Sequence, residues 1–150
     1  MILKDKVIVI TGVGPGMGQA MARIAAQEGA KVVLGARKQA FLDGVVADIR
    51  AAGGEAIAKS TDVSIRGECD ALVAAGVDAF GRIDGLINSA YMGGENALFD
   101  DGDIESWGQV IDVAALGAAR MAQAVLEPMK AVGGGAIVNV ATMQSLKPLP

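Results

Sequence analysis

A glycine-rich turn near the N-terminus is the segment best suited to chemistry, and it reads Thr11-Gly12-Val13-Gly14-Pro15-Gly16-Met17-Gly18. An apolar run at 7–10 precedes it and a helical periodicity follows it, which predicts a strand before the turn and a helix after it. Glycines let the backbone approach a pyrophosphate closely, and a helix N-terminus offers free N–H groups and a positive dipole end. The turn therefore predicts a dinucleotide site. The residues expected to bind are Gly12, Gly14, Pro15, Gly16, Met17 and Gly18.

Two alternatives to a dinucleotide site deserve comparison. In a nucleoside triphosphatase loop a lysine follows the last glycine, whereas Gln19 follows Gly18 here, so that class is disfavoured. The other alternative is a glycine-rich turn that holds no ligand. The strand before the turn and the helix after it favour the binding interpretation.

Strand and helix patterns alternate along the chain and must position this turn. Short apolar runs predict strands at 7–10, 31–34, 56–60, 86–87 and 136–141. Longer periodicities predict helices at 16–28, 39–52 and 105–130, and a further helix that Ser64 would cap. The first of these helices would carry an apolar stripe of Met17, Met21, Ile24 and Ala25, and Gly29 would end it. Alternation of this kind predicts right-handed crossovers and a parallel sheet between two helical layers. We expect an α/β fold with a three-layer, doubly wound parallel sheet in a single domain, 1–150.

Several motifs resemble the short-chain dehydrogenase/reductase family over the whole chain. The spacing Thr-Gly-x-x-x-Gly-x-Gly is typical of that family rather than of the ordinary dinucleotide-binding fold. Asp62-Val63, after the third strand, is similar to its adenine-contacting pair. Asn88-Ser89-Ala90 resembles its Asn-Asn-Ala-Gly turn, with Tyr91 where glycine is usual. The segments 107–113 and 137–142 resemble its long helix and its fifth strand.

The resemblance implies a Rossmann-type fold and the sites that accompany it. Asp62 and Val63 would contact the adenine of a nicotinamide coenzyme. Asn88, Ser89 and Ala90 would flank the nicotinamide ribose. Small alanines on the long helix, together with the family's tetramers, imply a homo-oligomer, a dimer or a tetramer. Ordinary packing within one chain is the alternative for Ala114, Ala118 and Ala122.

The end of the second strand predicts which coenzyme is preferred. Ala36 stands where an NAD-selective member of the family would carry aspartate, and Arg37 and Lys38 follow it. The arginine fork can hold a phosphate through two hydrogen bonds, and the lysine adds a point charge. We therefore expect a preference for NADP(H), with NAD(H) as the alternative. The competing interpretation is a pair of solvated charges on a loop.

The catalytic signal departs from the family in two places. Alignment on the fifth strand puts Thr142 at the position of the catalytic serine, and its hydroxyl can still donate to a carbonyl. Alignment on the long helix puts Ala114, which has no side-chain amide, at the position of the asparagine. The family's Tyr-x-x-x-Lys pair does not occur in the sequence, whose one tyrosine is Tyr91.

Two functions remain open on this basis. The first is hydride transfer between the nicotinamide and a small carbonyl or alcohol substrate, with Thr142 holding the substrate oxygen. The second is an NADP(H)-binding regulatory or scaffolding relative without turnover. The fifth strand would form an uncovered apolar edge. We therefore expect that 1–150 is the coenzyme-binding portion of a longer enzyme and lacks the last strands of the sheet.

Composition narrows the function classes further. The 150 residues are 52% hydrophobic and 20% charged, carry a net charge of -4 and contain no histidine. Catalysis by a serine–histidine pair and metal sites with histidine ligands are therefore excluded, and we expect no metal site. The sequence contains no cluster of basic residues, so we expect no nucleic-acid partner. Asp112 and Arg120 interrupt the longest apolar stretch, so we expect no membrane span. The one cysteine, Cys69, cannot form a disulfide within the chain, so we expect a cytoplasmic protein.

A cysteine, an acidic stretch and two methionines have less specific signals. Cys69 lies in a predicted helix and is expected to be a small buried residue rather than a nucleophile. The acidic stretch 100–103 is expected to be a loop that caps the long helix, since its spacing does not fit a calcium loop. Met92 and Met143 lie near the expected substrate mouth, where a role in an apolar pocket and a role in packing remain equal alternatives.

Overall fold

The computed structural model describes residues 1–93 and 100–142. Its elements alternate as predicted, and the five strands and the first two helices end within two residues of the sequence expectations. The single helix predicted at 105–130 is divided into two α-helices by a π-helical turn. The strands are β1 Val7–Thr11, β2 Lys31–Ala36, β3 Glu55–Ser60, β4 Gly85–Asn88 and β5 Ala136–Asn139. The helices are α1 Met17–Gln27, α2 Gln39–Ala51, α3 Arg66–Phe80, α4 Ile104–Ile111 and α5 Gly117–Ala131, with a π-helical turn, Asp112–Leu116, joining α4 to α5.

All five strands are parallel and lie in the order β3-β2-β1-β4-β5. Two apolar cores cover the sheet, one on each face. The first core contains side chains of α1 and α2, such as Ala22 and Leu42, and the second contains side chains of α3 and α5, such as Leu72 and Met121. All of β1 and the four central residues of β2 are buried, which explains why these strands are apolar at consecutive positions. The predicted three-layer, doubly wound parallel fold is confirmed.

The apolar stripe predicted on α1 is only partly correct. Ala25 is buried and Met21 is half-buried, but Met17 and Ile24 are more than half exposed. The buried residues of α1 are Gly18, Ala22 and Ala25. At Gly18 the start of the helix packs directly on the backbone of the turn before it, where a Cβ would collide with the Gly12 carbonyl. Close packing at this point therefore requires a small residue rather than a hydrophobic one.

Ser64 does not cap α3, contrary to the sequence expectation. The residue at the cap position is Ile65, which makes no side-chain capping hydrogen bond. The Ser64 backbone N–H and hydroxyl instead donate to Asp62 Oδ1, at 2.9 and 2.6 Å. A neighbouring carboxylate has therefore outcompeted the helix end for this serine, because short polar side chains bond readily to nearby groups of the same loop.

Three other local predictions are confirmed. Asp103 caps α4, since its Oδ1 accepts the N–H of Glu105 at 3.0 Å. Gly29 ends α1 with a positive φ of 91°. Cys69 is fully buried. Burial is the main reason that the pKa of its thiol is raised, and its S–H donates to the Val63 carbonyl at 3.5 Å.

The segment Ile104–Ala131 is 28 residues long, with a mean hydropathy of 1.2 in its most apolar window. By length and composition alone it therefore qualifies as a candidate membrane span, so the expectation that Asp112 and Arg120 exclude one is too strict. A single segment of this kind is weak evidence, because the core helices of soluble proteins pass the same test. Here Met121 and Val125 are buried in the second core.

Asp84 joins the N-terminal ends of three strands. Its carboxylate accepts the Val7 backbone N–H at 3.0 Å, two hydrogen bonds from Arg82 at 2.6 and 2.8 Å, and one from Lys6 at 3.2 Å. Its backbone carbonyl accepts the N–H of Ala136 at 3.0 Å. Burial raises the pKa of Asp84, but these hydrogen bonds and the charge of Arg82 outweigh it and lower the pKa to about 2.

Replacing Asp84 with asparagine is expected to lower the free energy of unfolding by about 2 kcal/mol at neutral pH, because a pKa lowered by nearly two units contributes stability in that proportion. A lowered pKa in the folded state stabilises the fold above the ordinary value of 3.8 and ceases to do so as the pH falls towards 2. The difference between the Asp84→Asn variant and the parent should therefore shrink across that interval. Urea unfolding at a series of pH values measures it.

The matched control is Asp48→Asn, which removes an ion pair of 2.7 Å with Arg23, at a carboxylate that is 61% exposed. Exposed pairs contribute about 0–1 kcal/mol, so this variant should differ little from the parent at any pH. Equal losses in both variants would contradict the special role of Asp84.

Candidate functional site

A cleft of about 690 Å³ lies where the loops after the first four strands meet. β1 occupies the centre of the sheet, with β2 on one side and β4 on the other. The chain therefore leaves these neighbouring strands in opposite directions, and ligands of open α/β sheets bind at such a point. The cleft brings together nine of the predicted residues, namely Gly12, Gly14, Pro15, Arg37, Lys38, Asp62, Val63, Ser89 and Ala90.

Two glycines of the turn are required by packing. Gly12 has a φ of 71°, and a Cβ at this position would collide with the Ser89 carbonyl and the Ala90 backbone. A Cβ at Gly18 would lie 2.9 Å from the Val13 Cα and would also collide with the Gly12 carbonyl. These two glycines let β1, α1 and the loop after β4 approach one another at backbone distance.

Packing within the described protein does not require glycine at the other two positions of the turn. A Cβ at Gly14 or at Gly16 would have no heavy atom within 4 Å, and neither residue has a left-handed backbone. Gly14 lines the cleft. Since the protein itself does not require glycine at Gly14, the open space beside it is free for a ligand.

The start of α1 adds a favourable field for an anion. Its cap residue, Gly16, has no side chain that could cap the helix, and its first turn carries no acidic residue. The positive end of the helix dipole is therefore not compensated by a side chain of the helix itself. An anion held here would gain both that field and the free N–H groups of the first turn.

Arg37 and Lys38 form the cationic end of the cleft, and both are exposed. The Arg37 guanidinium makes no ion pair or hydrogen bond within the described residues. Each of the other five arginines does; they are Arg23, Arg50, Arg66, Arg82 and Arg120. Arg37 is thus the arginine whose donors remain free for an external phosphate.

Asp62 lies at the same end of the cleft. Hydrogen bonds from the Ser64 hydroxyl and backbone N–H are the main reason that the pKa of Asp62 is lowered. Burial opposes them, and the nearby positive charge of Arg37 lowers the pKa by less. Both of these bonds go to Oδ1, so in the described part of the chain Oδ2 accepts none. This end of the cleft therefore offers a fixed carboxylate acceptor next to two cationic donors.

Asn88 does not line the cleft, although the sequence placed it among the binding residues. Its side chain is buried, and Nδ2 donates to the Ala118 carbonyl at 3.2 Å and to Asn139 Oδ1 at 2.9 Å. These bonds join β4 to β5 and to α5. Its own Oδ1 is buried and has no hydrogen-bond partner among residues 1–93 and 100–142. Gly16 and Met17, at the start of α1, and the buried Gly18 also lie outside the cleft wall.

The position predicted for the catalytic hydroxyl lies just after β5. Thr142 is exposed and is not part of the cleft wall. Ala114, at the position expected for asparagine, lies in the π-helical turn between α4 and α5 and is also exposed. Met143 lies outside the described residues, so its predicted place at the substrate mouth stays a prediction.

The π-helical turn is held by Arg120. Its guanidinium donates to the Asp112 carboxylate at 2.7 Å, to the Asp112 carbonyl at 3.3 Å and to the Val63 carbonyl at 3.4 Å. Val63 and Val113 both line the cleft. Arg120 therefore connects the irregular helix to the wall of the site. Turns of this type occur frequently at functional sites.

Seven residues of the cleft wall are not among those that the sequence assigned to coenzyme binding. They are Val13, Ala36, Phe41, Thr61, Tyr91, Met92 and Val113. The sequence did single out Met92, near the expected substrate mouth, and Met92 lines the cleft. Most of the others are apolar side chains with no chemical signature of their own. Tyr91 differs, since its departure from the expected glycine was visible in the sequence.

The sequence of this chain is similar to those of known proteins. The family model described as short chain dehydrogenase matches residues 6–150. An oxidoreductase of Listeria innocua, itself uncharacterised, is 36% identical over 100% of this chain and 60% of its own length. The 2,5-dichloro-2,5-cyclohexadiene-1,4-diol dehydrogenase of Sphingobium indicum is 36% identical over 97% of this chain and 58% of its own length. The chain thus spans about 60% of the length of these curated relatives.

Solved structures agree with this fold. A polyketide ketoreductase of the actinorhodin type, crystallised with NADPH, superposes with a TM-score of 0.90 at 33% identity, over 96% of this chain and 56% of the other. A xylitol dehydrogenase bound to NAD⁺ superposes with a TM-score of 0.95 at 31% identity, over 100% of this chain and 58% of the other. One neighbour therefore carries NADPH and another carries NAD⁺.

Proposed function

The chain belongs to the short-chain dehydrogenase family, and from that membership we propose that the protein is an NADP(H)-dependent oxidoreductase. It would transfer a hydride between the nicotinamide and the carbonyl or alcohol carbon of a small substrate. The observation that carries the coenzyme assignment is the free guanidinium of Arg37 at one end of a cleft whose centre is the glycine turn.

The residues of the cleft fit such a coenzyme. Its volume of about 690 Å³ lies within the range of cofactor sites. The open space beside Gly14 and the uncompensated start of α1 would hold the diphosphate. Asp62 Oδ2 would accept the amino group of the adenine, and Val63 would lie against its ring.

The preference for NADP(H) rests on the end of β2. A carboxylate there would accept the ribose hydroxyls and repel a 2′-phosphate, but the residue is Ala36. Arg37 and Lys38 would face the 2′-phosphate instead, the first through two hydrogen bonds and the second as a point charge. Neighbours of known structure carry either coenzyme, so these residues are the ground for the choice.

The chemical step depends on few residues of this chain. When bound, the coenzyme supplies or accepts the hydride. Thr142 would donate its hydroxyl to the substrate oxygen and thereby stabilise the negative charge that develops there. The hydrogen bonds of Asn88 to Asn139 and to the Ala118 carbonyl would hold the ends of β4 and β5 together beneath the reacting atoms.

A second function is favoured by one observation. Ala114 offers no side-chain amide at the position where the family uses asparagine to order a water molecule, so a proton relay through that point has no donor. A protein that binds NADP(H) without turnover, as a regulatory or scaffolding relative, would need no such relay. Turnover distinguishes the two functions.

Calorimetric titration of the 150-residue chain with NADPH and NADH tests the binding. We expect NADPH to bind at least about tenfold more tightly, since each 1.4 kcal/mol of added interaction is a factor of ten. Loss of NADPH absorbance with a panel of ketones and aldehydes, using the product of the intact gene, then tests turnover. Binding without turnover would favour the second function, and binding of neither coenzyme would reject both.

A further inference from the structure

Tyr91 projects from a firmly held part of the cleft wall. The two residues before it, Ser89 and Ala90, are packed against the Gly12 backbone. The Ser89 N–H donates to the Thr11 hydroxyl at 3.4 Å, and that hydroxyl donates to the Ile87 carbonyl at 3.4 Å. The backbone that leads to Tyr91 is therefore fixed to β1 and β4.

The side chain of Tyr91 is open to solvent although it lines the cleft. It is 79% exposed, whereas Trp107 is 45% exposed. In the described part of the chain the phenolic oxygen makes no hydrogen bond. Gly93 lies beside the ring, since a Cβ at that glycine would be 3.7 Å from the phenolic oxygen. A ring with a fixed base and an open face can stack on a ligand with little further loss of freedom.

The two ends of the cleft differ in character. Arg37, Lys38 and Asp62 lie at the ends of β2 and β3, on one side of β1. Tyr91 and Met92 follow β4, on the other side of β1. A dinucleotide whose phosphate-bearing adenosine lies at the charged end would extend its other heterocycle, the nicotinamide, towards Tyr91.

We propose that Tyr91 is a binding residue for the nicotinamide-riboside half of the coenzyme, against which its ring packs. The proposal rests on the proposed function, and it adds to the site a residue beyond the Asn88-Ser89-Ala90 turn. Met92 borders the same space, and its flexible thioether can adapt to the neighbouring ring.

The size of the effect follows from stacking. Aromatic stacking on a nucleobase contributes about 1–3 kcal/mol by alanine substitution. We expect the Tyr91→Ala variant to bind NADPH about tenfold more weakly than the parent, a value towards the lower part of that range because the ring lies at the rim of the cleft. The phenolic hydroxyl has no assigned partner, so the Tyr91→Phe variant should bind within about twofold of the parent.

Fragments of the coenzyme give the decisive test, measured by calorimetry on the 150-residue chain. Reduced nicotinamide mononucleotide, the half common to both coenzymes, should lose affinity for the Tyr91→Ala variant by the same factor as NADPH. Adenosine 2′,5′-diphosphate should bind the variant as it binds the parent. Thermal unfolding of both Tyr91 variants should match that of the parent, since an exposed ring adds little to the fold.

The outcomes separate this inference from the function on which it rests. If the parent binds NADPH and Tyr91→Ala binds it equally well, or loses adenosine 2′,5′-diphosphate in the same proportion, the assignment of Tyr91 is wrong while the function stands. A Tyr91→Phe variant as weak as Tyr91→Ala would also overturn the stacking role. If the parent binds none of the three ligands, the proposed function fails, and this inference fails with it.

Discussion

The Arg37→Ala variant is expected to bind NADPH ten- to hundredfold more weakly than the parent and to bind NADH within about twofold of it. A hydrogen bond to a charged group contributes about 1.5–3 kcal/mol, and each 1.4 kcal/mol is about a factor of ten in affinity. The guanidinium makes no hydrogen bond or ion pair among the described residues, so its loss breaks no such bond there, and it removes only one of the charges that act on Asp62. Calorimetric titration of both coenzymes measures the change.

The matched control for Arg37 is Arg66→Ala. Arg66 is also an exposed arginine, but it pairs with Asp70 at 3.0 Å on α3, away from the cleft wall. This variant should bind both coenzymes as the parent does. A drop in NADH affinity as large as the drop in NADPH affinity would show that Arg37 acts on the part common to both coenzymes. The preference for NADP(H) would then lose its physical basis.

The Gly12→Ala variant is expected to lose about 3 kcal/mol or more of folding free energy. A left-handed backbone costs a residue with a Cβ about 1–2 kcal/mol, and forcing atoms into a packed site costs about 1–3 kcal/mol. Both costs apply, because φ is 71° and the new methyl would meet the Ser89 carbonyl and the Ala90 N–H. Chemical denaturation measures the loss, and coenzyme binding should fall with the folded fraction.

Gly14→Ala is the companion variant that separates folding from binding. Its new methyl would meet no protein atom within 4 Å, so the free energy of unfolding should change by no more than about 0.5 kcal/mol. Because Gly14 lines the cleft, the methyl should occupy space that the diphosphate needs, and NADPH affinity should fall. If Gly12→Ala is as stable as Gly14→Ala, the close contact between the turn and the loop after β4 is not required.

The alternation of strands and helices could be predicted because it depends on local patterns. Consecutive apolar residues in β1 and β2 indicate burial on both faces, and the structure confirms it. Gly29 ends α1 and Asp103 caps the start of α4. Both depend on contacts within a few residues, so their roles could also be predicted from the sequence. The place of the cleft followed from the parallel order of the strands, which gathers the turn, Arg37 and Asp62 at one edge.

The misses depend on contacts between residues far apart in the sequence. The buried face of α1 is set by how closely Gly18 approaches the backbone of β1's end, which a hydrophobic pattern does not encode. The π-helical turn depends on a bond from Arg120 to Val63, 57 positions away. Arg37 differs from the other arginines in making no hydrogen bond or ion pair among the described residues, and only the structure could show this difference. The catalytic part of the site remains a prediction from resemblance at Thr142.

The π-helical turn also determines how α4 is oriented relative to α5. An α-helix rotates by about 100° per residue, so accommodating an additional residue in one turn shifts the angular phase of everything before it. The outward direction of Trp107 and Ile111 is thus decided at 112–116 rather than by the sequence of α4 alone. Deleting one residue there would swing these two apolar side chains around the axis to a new azimuth. The number of residues in this segment therefore determines how α4 is rotated about its axis relative to α5.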